Sequence, residues 1–257
     1  MLTAYDHPTA ELLDQSGVDW ILVGDSLGMV VLGYSSTLPV TMDEMIHHAK
    51  AARRGVKNAC LIGDIPLKGI EKGPRQALDS AKRFIEEAGC DAVKLEWGPQ
   101  AAVIAALFKK HRIPFMGHVG LTPQRVKPGE GFRVKGASGD EAHTIYESAK
   151  VFEKNGAFAV LLECVPEKVS KLITENLKVP TIGIGAGKYC DGQVLVFHDL
   201  AGIFTRFTPR FVKRYANTHA IMRKAVARYA QEVKSGRFPA KKHTFSIDEK
   251  ELDGVFY

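Results

Sequence analysis

Four carboxylates each follow a short apolar run of the chain. They are Asp25, Asp64, Glu96 and Glu163. Each run is typical of a buried strand, and a carboxylate at a strand end is costly to bury without a cation or a proton. Any one of them could instead cap a helix, but the coincidence at four strand ends favours a shared site. Oxygen ligands without clustered cysteine or histidine suit a hard cation such as Mg²⁺ rather than Zn²⁺.

Lys94 and His118 add a cation and a titratable ring to this set. Lys94 lies two residues before Glu96, so both side chains point to the same side of one strand. The lysine could form a structural ion pair, clamp a substrate oxygen or act as a Schiff-base amine. His118 ends the next apolar run and is compatible with a catalytic or a supporting role. A metal, a free carboxylate base and a lysine together suit chemistry that makes an enolate.

The signal for phosphate binding is weak. The run GIGAG at residues 183–187 lies where barrels often bind anions, but it lacks the spacing of a dinucleotide fingerprint.

A repeated unit must position these candidate functional residues. It consists of a helical stretch, a glycine and a short apolar strand. Gly17, Gly89 and Gly156 suit the left-handed position that ends such a helix. The pattern predicts strands near residues 1–5, 20–24, 60–64, 91–96, 114–118, 158–163, 180–184 and 194–197. It predicts helices near 7–16, 42–54, 74–88, 99–111, 139–154, 166–176 and 209–234, with only a short turn after strand seven.

Eight strands alternating with helices predict an α/β fold, a (β/α)8 TIM barrel, as a single domain over residues 1–257. A doubly wound open sheet is the alternative. In a barrel the carboxyl ends of all strands share one face, so the four carboxylates would meet there. Two long loops, at residues 26–40 and 119–138, are expected to be functional because loops of that length usually are.

Composition excludes several classes of protein. The chain has 257 residues, 45% of them hydrophobic, and a net charge of +6, which fits a globular domain with a full core. The basic residues are scattered and not interleaved with aromatic ones, so we expect no nucleic-acid partner. The four cysteines form no C-x-x-C pair. With no signal-peptide pattern or unbroken apolar span, we expect a cytoplasmic protein with no membrane partner.

Several sequence blocks occur together and in order along nearly the whole chain. They are LTAYD (2–6), VGDSLGMVVLGYSSTLPVTMDEM (23–45), GHVGLTPQ (117–124), LLECVP (161–166), IGIGAG (182–187) and DGQVLVFHD (191–199). In these blocks the chain resembles the ketopantoate hydroxymethyltransferase (3-methyl-2-oxobutanoate hydroxymethyltransferase) family. No single block is decisive, but the ordered set is very specific.

The resemblance implies a (β/α)8 barrel that uses Mg²⁺. The family transfers a one-carbon unit from 5,10-methylenetetrahydrofolate to the keto acid 3-methyl-2-oxobutanoate, giving 2-dehydropantoate for pantothenate biosynthesis. By resemblance, Asp25 and Asp64 would hold the metal, and Glu96 would support it directly or through water. Asp25, Ser26, Asp64 and Lys94 would contact the keto acid. Glu163 would be the base at C3, and His118 would be a supporting pocket residue.

The resemblance also implies a large homo-oligomer, commonly a decamer in this family. Two departures from the family pattern stand out. Family members usually carry further residues before the LTAYD block, so a missing cap at the bottom of the barrel could weaken stability or assembly. Lys135 stands where glutamine is common, in the stretch 129–136, which could alter loop contacts without touching the chemistry.

Three rival functions remain open from the sequence. Another enolate-forming barrel enzyme, such as a lyase or mutase acting on keto acids, would share the strand-end carboxylates and need no folate. A Schiff-base aldolase would use Lys94 as its amine. A basic nucleic-acid-binding protein would show steep salt dependence, although no motif supports it.

Overall fold

A computed structural model describes residues 1–126, 133–253 and 255 of the chain. It contains one parallel sheet whose eight strands follow sequence order. They are β1 (Leu2–Thr3), β2 (Trp20–Val23), β3 (Cys60–Asp64), β4 (Ala92–Glu96), β5 (Phe115–Gly120), β6 (Ala159–Glu163), β7 (Thr181–Ile184) and β8 (Gly192–Gln193). A parallel bridge between Leu2 and Leu195 joins β1 to the segment just after β8. The sheet therefore curls into a (β/α)8 barrel, which confirms that prediction over the open sheet.

Helices lie between the strands, and two more follow the last strand. They are α1 (His7–Gln15), α2 (Leu27–Val30), α3 (Met42–Gly55), α4 (Pro74–Lys82), α5 (Ala101–Lys110), α6 (Gly139–Lys154), α7 (Glu167–Asn176), α8 (Phe197–Leu200) and α9 (Thr218–Lys234). Side chains define several of their starts. Thr41 and Glu44 form a reciprocal capping box at α3, with the Thr41 amide donating to Glu44 Oε2 at 2.7 Å. Gly17, Gly89 and Gly156 have φ values of +75°, +69° and +86°, as predicted for residues that end helices.

The predicted boundaries are wrong in three places. The last strand is Gly192–Gln193 rather than 194–197, because the Phe197 amide donates to Thr3 Oγ1 at 3.0 Å and begins α8 instead. The helix predicted over 209–234 begins only at Thr218, where the Asn217 side chain caps it. The loop predicted at 26–40 contains the short helix α2. Within the loop predicted at 119–138, residues 127–132 lie outside the described residues, and with them the first half of the stretch 129–136.

Side chains alternate between the inside and the outside of the barrel. The inside holds an apolar cluster from six strands and the segment after β8: Leu22, Ile62, Ala92, Met116, Ala159, Leu161, Ile182 and Val194. Outward positions pack under the helices, and they include the glycines Gly63 and Gly117. A Cβ on Gly63 would lie 2.2 Å from Phe84, and one on Gly117 would lie 2.3 Å from Phe152. These glycines let bulky helix residues approach the sheet closely, as dense packing requires.

The inward positions become polar toward the carboxyl ends of the strands. Asp64 follows Ile62 on β3, Lys94 and Glu96 follow Ala92 on β4, and His118 follows Met116 on β5. The period of two along a strand therefore aims these polar side chains into the barrel mouth, above an apolar floor.

The last helix differs from the others because no residue of α9 is buried. Its apolar side chains Ile221, Met222, Val226 and Tyr229 are 53–67% exposed. Among the described residues, no helix is long and apolar enough to cross a membrane.

Candidate active site

Lys94 and Asp64 form a buried ion pair in the barrel mouth. Lys94 Nζ lies 2.8 Å from Asp64 Oδ1, and the register of β3 and β4 places the two residues side by side. Burial alone would lower the pKa of Lys94, but the charges of Asp64, Asp25 and Glu96 outweigh it and the net shift of this pKa is upward. The amine is therefore held as a cation, which suits binding an anionic oxygen and opposes a role as a neutral nucleophile.

Asp25 and Asp64 are joined through the backbone. The Asp25 amide donates to Asp64 Oδ2 at 3.1 Å. Burial raises the pKa of Asp64 to about 7, with Lys94 opposing this shift and the charge of Asp25 adding to it. The two carboxylates come from the ends of neighbouring strands and line the same cavity.

Gln124 fixes the orientation of Asp25 and was missed by the sequence reasoning. Its Nε2 donates to Asp25 Oδ2 at 2.9 Å and to the Ile65 carbonyl at 3.0 Å. Gln124 is buried in the loop after β5. The sequence feature that could have identified Gln124 is its position as the last residue of the block GHVGLTPQ.

His118 lies between the lysine and two carboxylates. Its Nδ1 is 3.4 Å from Lys94 Nζ and 3.6 Å from Glu96 Oε2, while its Nε2 is 3.2 Å from Glu163 Oε2. Burial lowers the pKa of His118, and the Lys94 charge lowers it further against the opposing effect of Glu163. A neutral ring that accepts from Lys94 at Nδ1 presents an N–H at Nε2 toward Glu163. Among the described residues Nε2 completes no hydrogen bond, so His118 contacts the Glu163 carboxylate at 3.2 Å without bonding to it.

Ser26 occupies the wall of the cavity beside Asp25. Its Oγ lies 2.8 Å from the hydroxyl of Tyr5, a buried residue that the sequence reasoning also did not single out. Burial raises the pKa of Tyr5, so this hydroxyl remains a neutral hydrogen-bonding group. Tyr5 belongs to the block LTAYD, which was its only signal in the sequence.

The charge balance of the site favours a cation. Burial raises the pKa of Glu96 well above its usual range, against the attraction of Lys94, and Asp25, Asp64 and Glu163 raise it further. Within the described part of the chain, Glu96 Oε1 is buried and receives no hydrogen bond. Carboxylates therefore outnumber the positive charges around Lys94, and this oxygen-only donor set fits a hard cation.

The protein does not supply a complete metal shell by itself. Over residues 1–126 and 133–253, no three Asp, Glu, His or Cys side chains are grouped closely enough to hold a metal ion. Mg²⁺ commonly takes one or two protein carboxylates and completes its shell with water and substrate oxygens. The arrangement of Asp25 and Asp64 fits Mg²⁺ on those terms.

The cavity above these residues has a volume of about 460 Å³ and two different halves. The deep half is polar and contains all seven residues selected from the sequence: Asp25, Ser26, Asp64, Lys94, Glu96, His118 and Glu163. The outer half is largely apolar and contains several phenylalanines of the segment 204–211. A volume of this size is typical of sites for ligands larger than a small acid.

A family model described as ketopantoate hydroxymethyltransferase matches residues 1–241. The chain belongs to this family. A 3-methyl-2-oxobutanoate hydroxymethyltransferase from Clostridium beijerinckii is 50% identical over 256 residues, covering 100% of this chain and 93% of the relative. One from Oleidesulfovibrio alaskensis is 52% identical over 251 residues, covering 98% and 87%. Family membership makes the protein an enzyme of the transferase class, as the sequence blocks predicted.

Solved structures of more distant proteins share the fold of this family member. Phosphonopyruvate hydrolase in complex with oxalate and Mg²⁺ superposes with a TM-score of 0.59 at 15% identity, covering 99% of this chain and 89% of that one. A 2,3-dimethylmalate lyase of the PEP mutase/isocitrate lyase superfamily gives 0.58 at 12% identity, covering 100% and 93%. At these identities the likeness establishes the barrel alone.

Proposed function

We propose that the protein transfers a hydroxymethyl group from 5,10-methylenetetrahydrofolate to 3-methyl-2-oxobutanoate, forming 2-dehydropantoate in pantothenate biosynthesis. The relatives named for the keto acid support the choice of this substrate. The observation that carries the proposal is the Asp64–Lys94 ion pair lying beside the His118–Glu163 pair in one cavity. A cationic clamp and an oriented carboxylate base are the two groups that enolisation needs.

Asp25 and Asp64 would hold Mg²⁺, and Glu96 would support the ion directly or through water. When bound there, Mg²⁺ would polarise the 2-oxo group of the keto acid and lower the cost of forming the enolate by several kcal/mol. Gln124 keeps the Asp25 carboxylate aimed at this position through its 2.9 Å hydrogen bond. Orienting partners of this kind commonly strengthen a metal site.

Lys94, Ser26 and the two aspartates would position the keto acid. The charged Lys94 amine would attract its carboxylate and the negative charge that develops on its oxygen. Ser26 Oγ, held by Tyr5, would offer a hydrogen bond at the wall of the cavity. Glu163 would remove the proton from C3 of the keto acid, with His118 Nε2 in contact with its carboxylate.

Proton exchange measured by NMR tests this proposal directly. The protein is incubated with 3-methyl-2-oxobutanoate and Mg²⁺ in D₂O, first without folate and then with 5,10-methylenetetrahydrofolate. We expect the C3 proton signal to disappear, the loss to stop with a chelator, and a hydroxymethyl product to form after folate is added. Exchange without that product would contradict the transfer, and no exchange by metal-loaded protein would contradict the choice of substrate.

We further propose that the protein works as a homo-oligomer, a decamer by analogy with the family. The apolar side chains of α9 support association, because an exposed apolar helix face is stabilised when another surface covers it. Light scattering coupled to size-exclusion chromatography would measure the mass, and a monomer at micromolar concentration would contradict this assembly. The cytoplasmic location and the single-domain organisation remain predictions.

A further inference from the structure

The outer half of the cavity has an aromatic wall formed by Phe204, Phe207 and Phe211. The rings of Phe204 and Phe207 meet edge to face, with centroids 5.4 Å apart. Phe211 covers Gly185 after β7, where φ is +63° and a Cβ would lie 2.7 Å from the Phe211 ring. The aromatic wall is therefore packed against the barrel rather than extended into solvent, and Phe207 is still 42% exposed.

Two arginines attach the segment that carries the aromatic wall. Arg206 Nη1 donates to the Gly33 carbonyl at 3.1 Å, which joins the segment to the loop after β2. Arg214 Nη2 donates to the Phe204 carbonyl at 3.4 Å. These contacts hold the phenylalanines over the barrel mouth.

Asp199 lines the same cavity and has no role in the proposed enolisation. It ends the block DGQVLVFHD and is 8% exposed. No residue in the described ranges donates a hydrogen bond to its carboxylate or forms an ion pair with it within 4.0 Å. Burial raises the pKa of Asp199 to about 6, and the charge of Arg214 opposes this shift. A buried carboxylate that faces a cavity without a partner is costly unless a ligand supplies the donors.

We propose that Asp199 and the aromatic wall form the subsite for the pterin ring of the folate co-substrate. The aminopyrimidinone edge of a pterin presents a ring N–H and an amino N–H side by side, and one carboxylate can accept both. Apolar and aromatic surface suits the flat ring. The inference rests on the proposed function, and it explains why the cavity of about 460 Å³ extends well beyond the polar half that would hold a small keto acid.

Binding of tetrahydrofolate to Asp199→Asn tests the subsite apart from turnover. The substitution keeps the size of the side chain but leaves one acceptor in place of two. We expect the Kd for tetrahydrofolate, measured by calorimetry, to rise at least tenfold, and folate-free exchange at C3 of the keto acid to change much less. Phe207→Ala, at a partly exposed position, should also weaken tetrahydrofolate binding. Phe245→Ala removes a fully exposed ring elsewhere in the chain and should leave that Kd unchanged.

A tetrahydrofolate analogue that lacks the 2-amino group identifies the contact. The wild-type protein should bind this analogue at least tenfold more weakly than tetrahydrofolate, whereas Asp199→Asn should discriminate much less. Equal discrimination by the two proteins, or unchanged tetrahydrofolate binding by a folded Asp199→Asn, would overturn the subsite. A wild-type protein that exchanges the C3 proton without binding tetrahydrofolate would overturn the subsite and leave enolisation standing. A protein that does neither would overturn both proposals.

Discussion

His118 Nε2 lies 3.2 Å from Glu163 Oε2, across the two neighbouring strands β5 and β6. The histidine is buried among charged groups, and the lowered pKa of His118 keeps its ring neutral near pH 7. A neutral ring can donate from Nε2 to Glu163 only while Nδ1 acts as an acceptor, and Lys94 supplies that donor. The tautomer that turns an N–H toward the proposed base therefore depends on the lysine two strands away.

Glu163→Gln should lower kcat by roughly 10²–10⁴-fold, because an amide cannot accept the C3 proton. Binding of Mg²⁺ should persist, since the proposed ligands are Asp25 and Asp64. Single-turnover kinetics and a Mg²⁺ titration would measure the two effects, with the exposed Glu147→Gln as a control. Near-normal turnover by Glu163→Gln would remove Glu163 from the role of base.

Asp64→Asn should weaken Mg²⁺ binding by about tenfold or more, because removing even an outer-shell partner commonly costs that much and Asp64 is a proposed ligand. The Mg²⁺ concentration needed for half-maximal exchange at C3 would report the change. Asp43→Asn changes an exposed aspartate and serves as the comparison. An unaltered titration of Asp64→Asn would reject the assignment of Asp64 as a ligand.

Gln124→Ala should also weaken Mg²⁺ binding, by roughly 10–100-fold, although Gln124 is not a proposed ligand. The substitution removes the donor that holds Asp25 Oδ2 at 2.9 Å. Calorimetric titration of Mg²⁺ measures the effect, and Gln231→Ala on exposed α9 should behave as the wild type. If Gln124→Ala bound Mg²⁺ normally, the Asp25 carboxylate would not depend on this hydrogen bond.

Much of this site is predictable from the period of two along strands. Lys94 and Glu96 share a side of β4, and the alternation places both in the cavity with Asp64 and His118. Gln124 and Tyr5 were missed because each acts through a partner distant in sequence, Asp25 and Ser26 respectively. No local pattern encodes such a pairing.

The boundaries of helices and strands were predicted correctly where the signal is local and wrongly where a distant residue sets them. Helices ended by glycine after an amphipathic stretch were predicted well, because these signals are local. The last strand was misplaced because the Thr3 hydroxyl, almost two hundred residues away, binds the Phe197 amide and begins α8. The helix predicted from 209 was too long because Asn217 caps it later in the chain.

Borohydride should trap no adduct between the keto acid and Lys94. The raised pKa of this lysine and its 2.8 Å contact with Asp64 Oδ1 keep the amine protonated, and only a neutral amine forms a Schiff base. Mass spectrometry of the protein after reduction with 3-methyl-2-oxobutanoate present is the measurement. A mass increase on the peptide that contains Lys94 would instead support the aldolase alternative.

Asp199 should make the wild-type protein less stable as pH rises toward 6. The folded-state pKa of Asp199, about 6, lies above its ordinary value of 3.8, so folding favours the neutral acid. This contribution is present below pH 3.8 and is lost as pH rises through about 6. Relative to Asp199→Asn, the wild type should lose on the order of 3 kcal/mol in unfolding free energy across that window.

Urea denaturation at several pH values measures this difference, with Asp43→Asn as a surface comparison. If the difference in unfolding free energy between the wild type and Asp199→Asn stayed constant with pH, folding would not raise the pKa of Asp199.

The apolar cluster inside the barrel has a kinetic consequence. Leu22, Leu161 and Val194 line the floor of the cavity, so in the part of the chain that the structure describes molecules enter and leave through the mouth. A keto acid bound against Asp64 and Lys94 would lie beneath a pterin held by Asp199. The deeper molecule must then arrive first and depart last, so the architecture of the barrel itself imposes an order on the two substrates and their products.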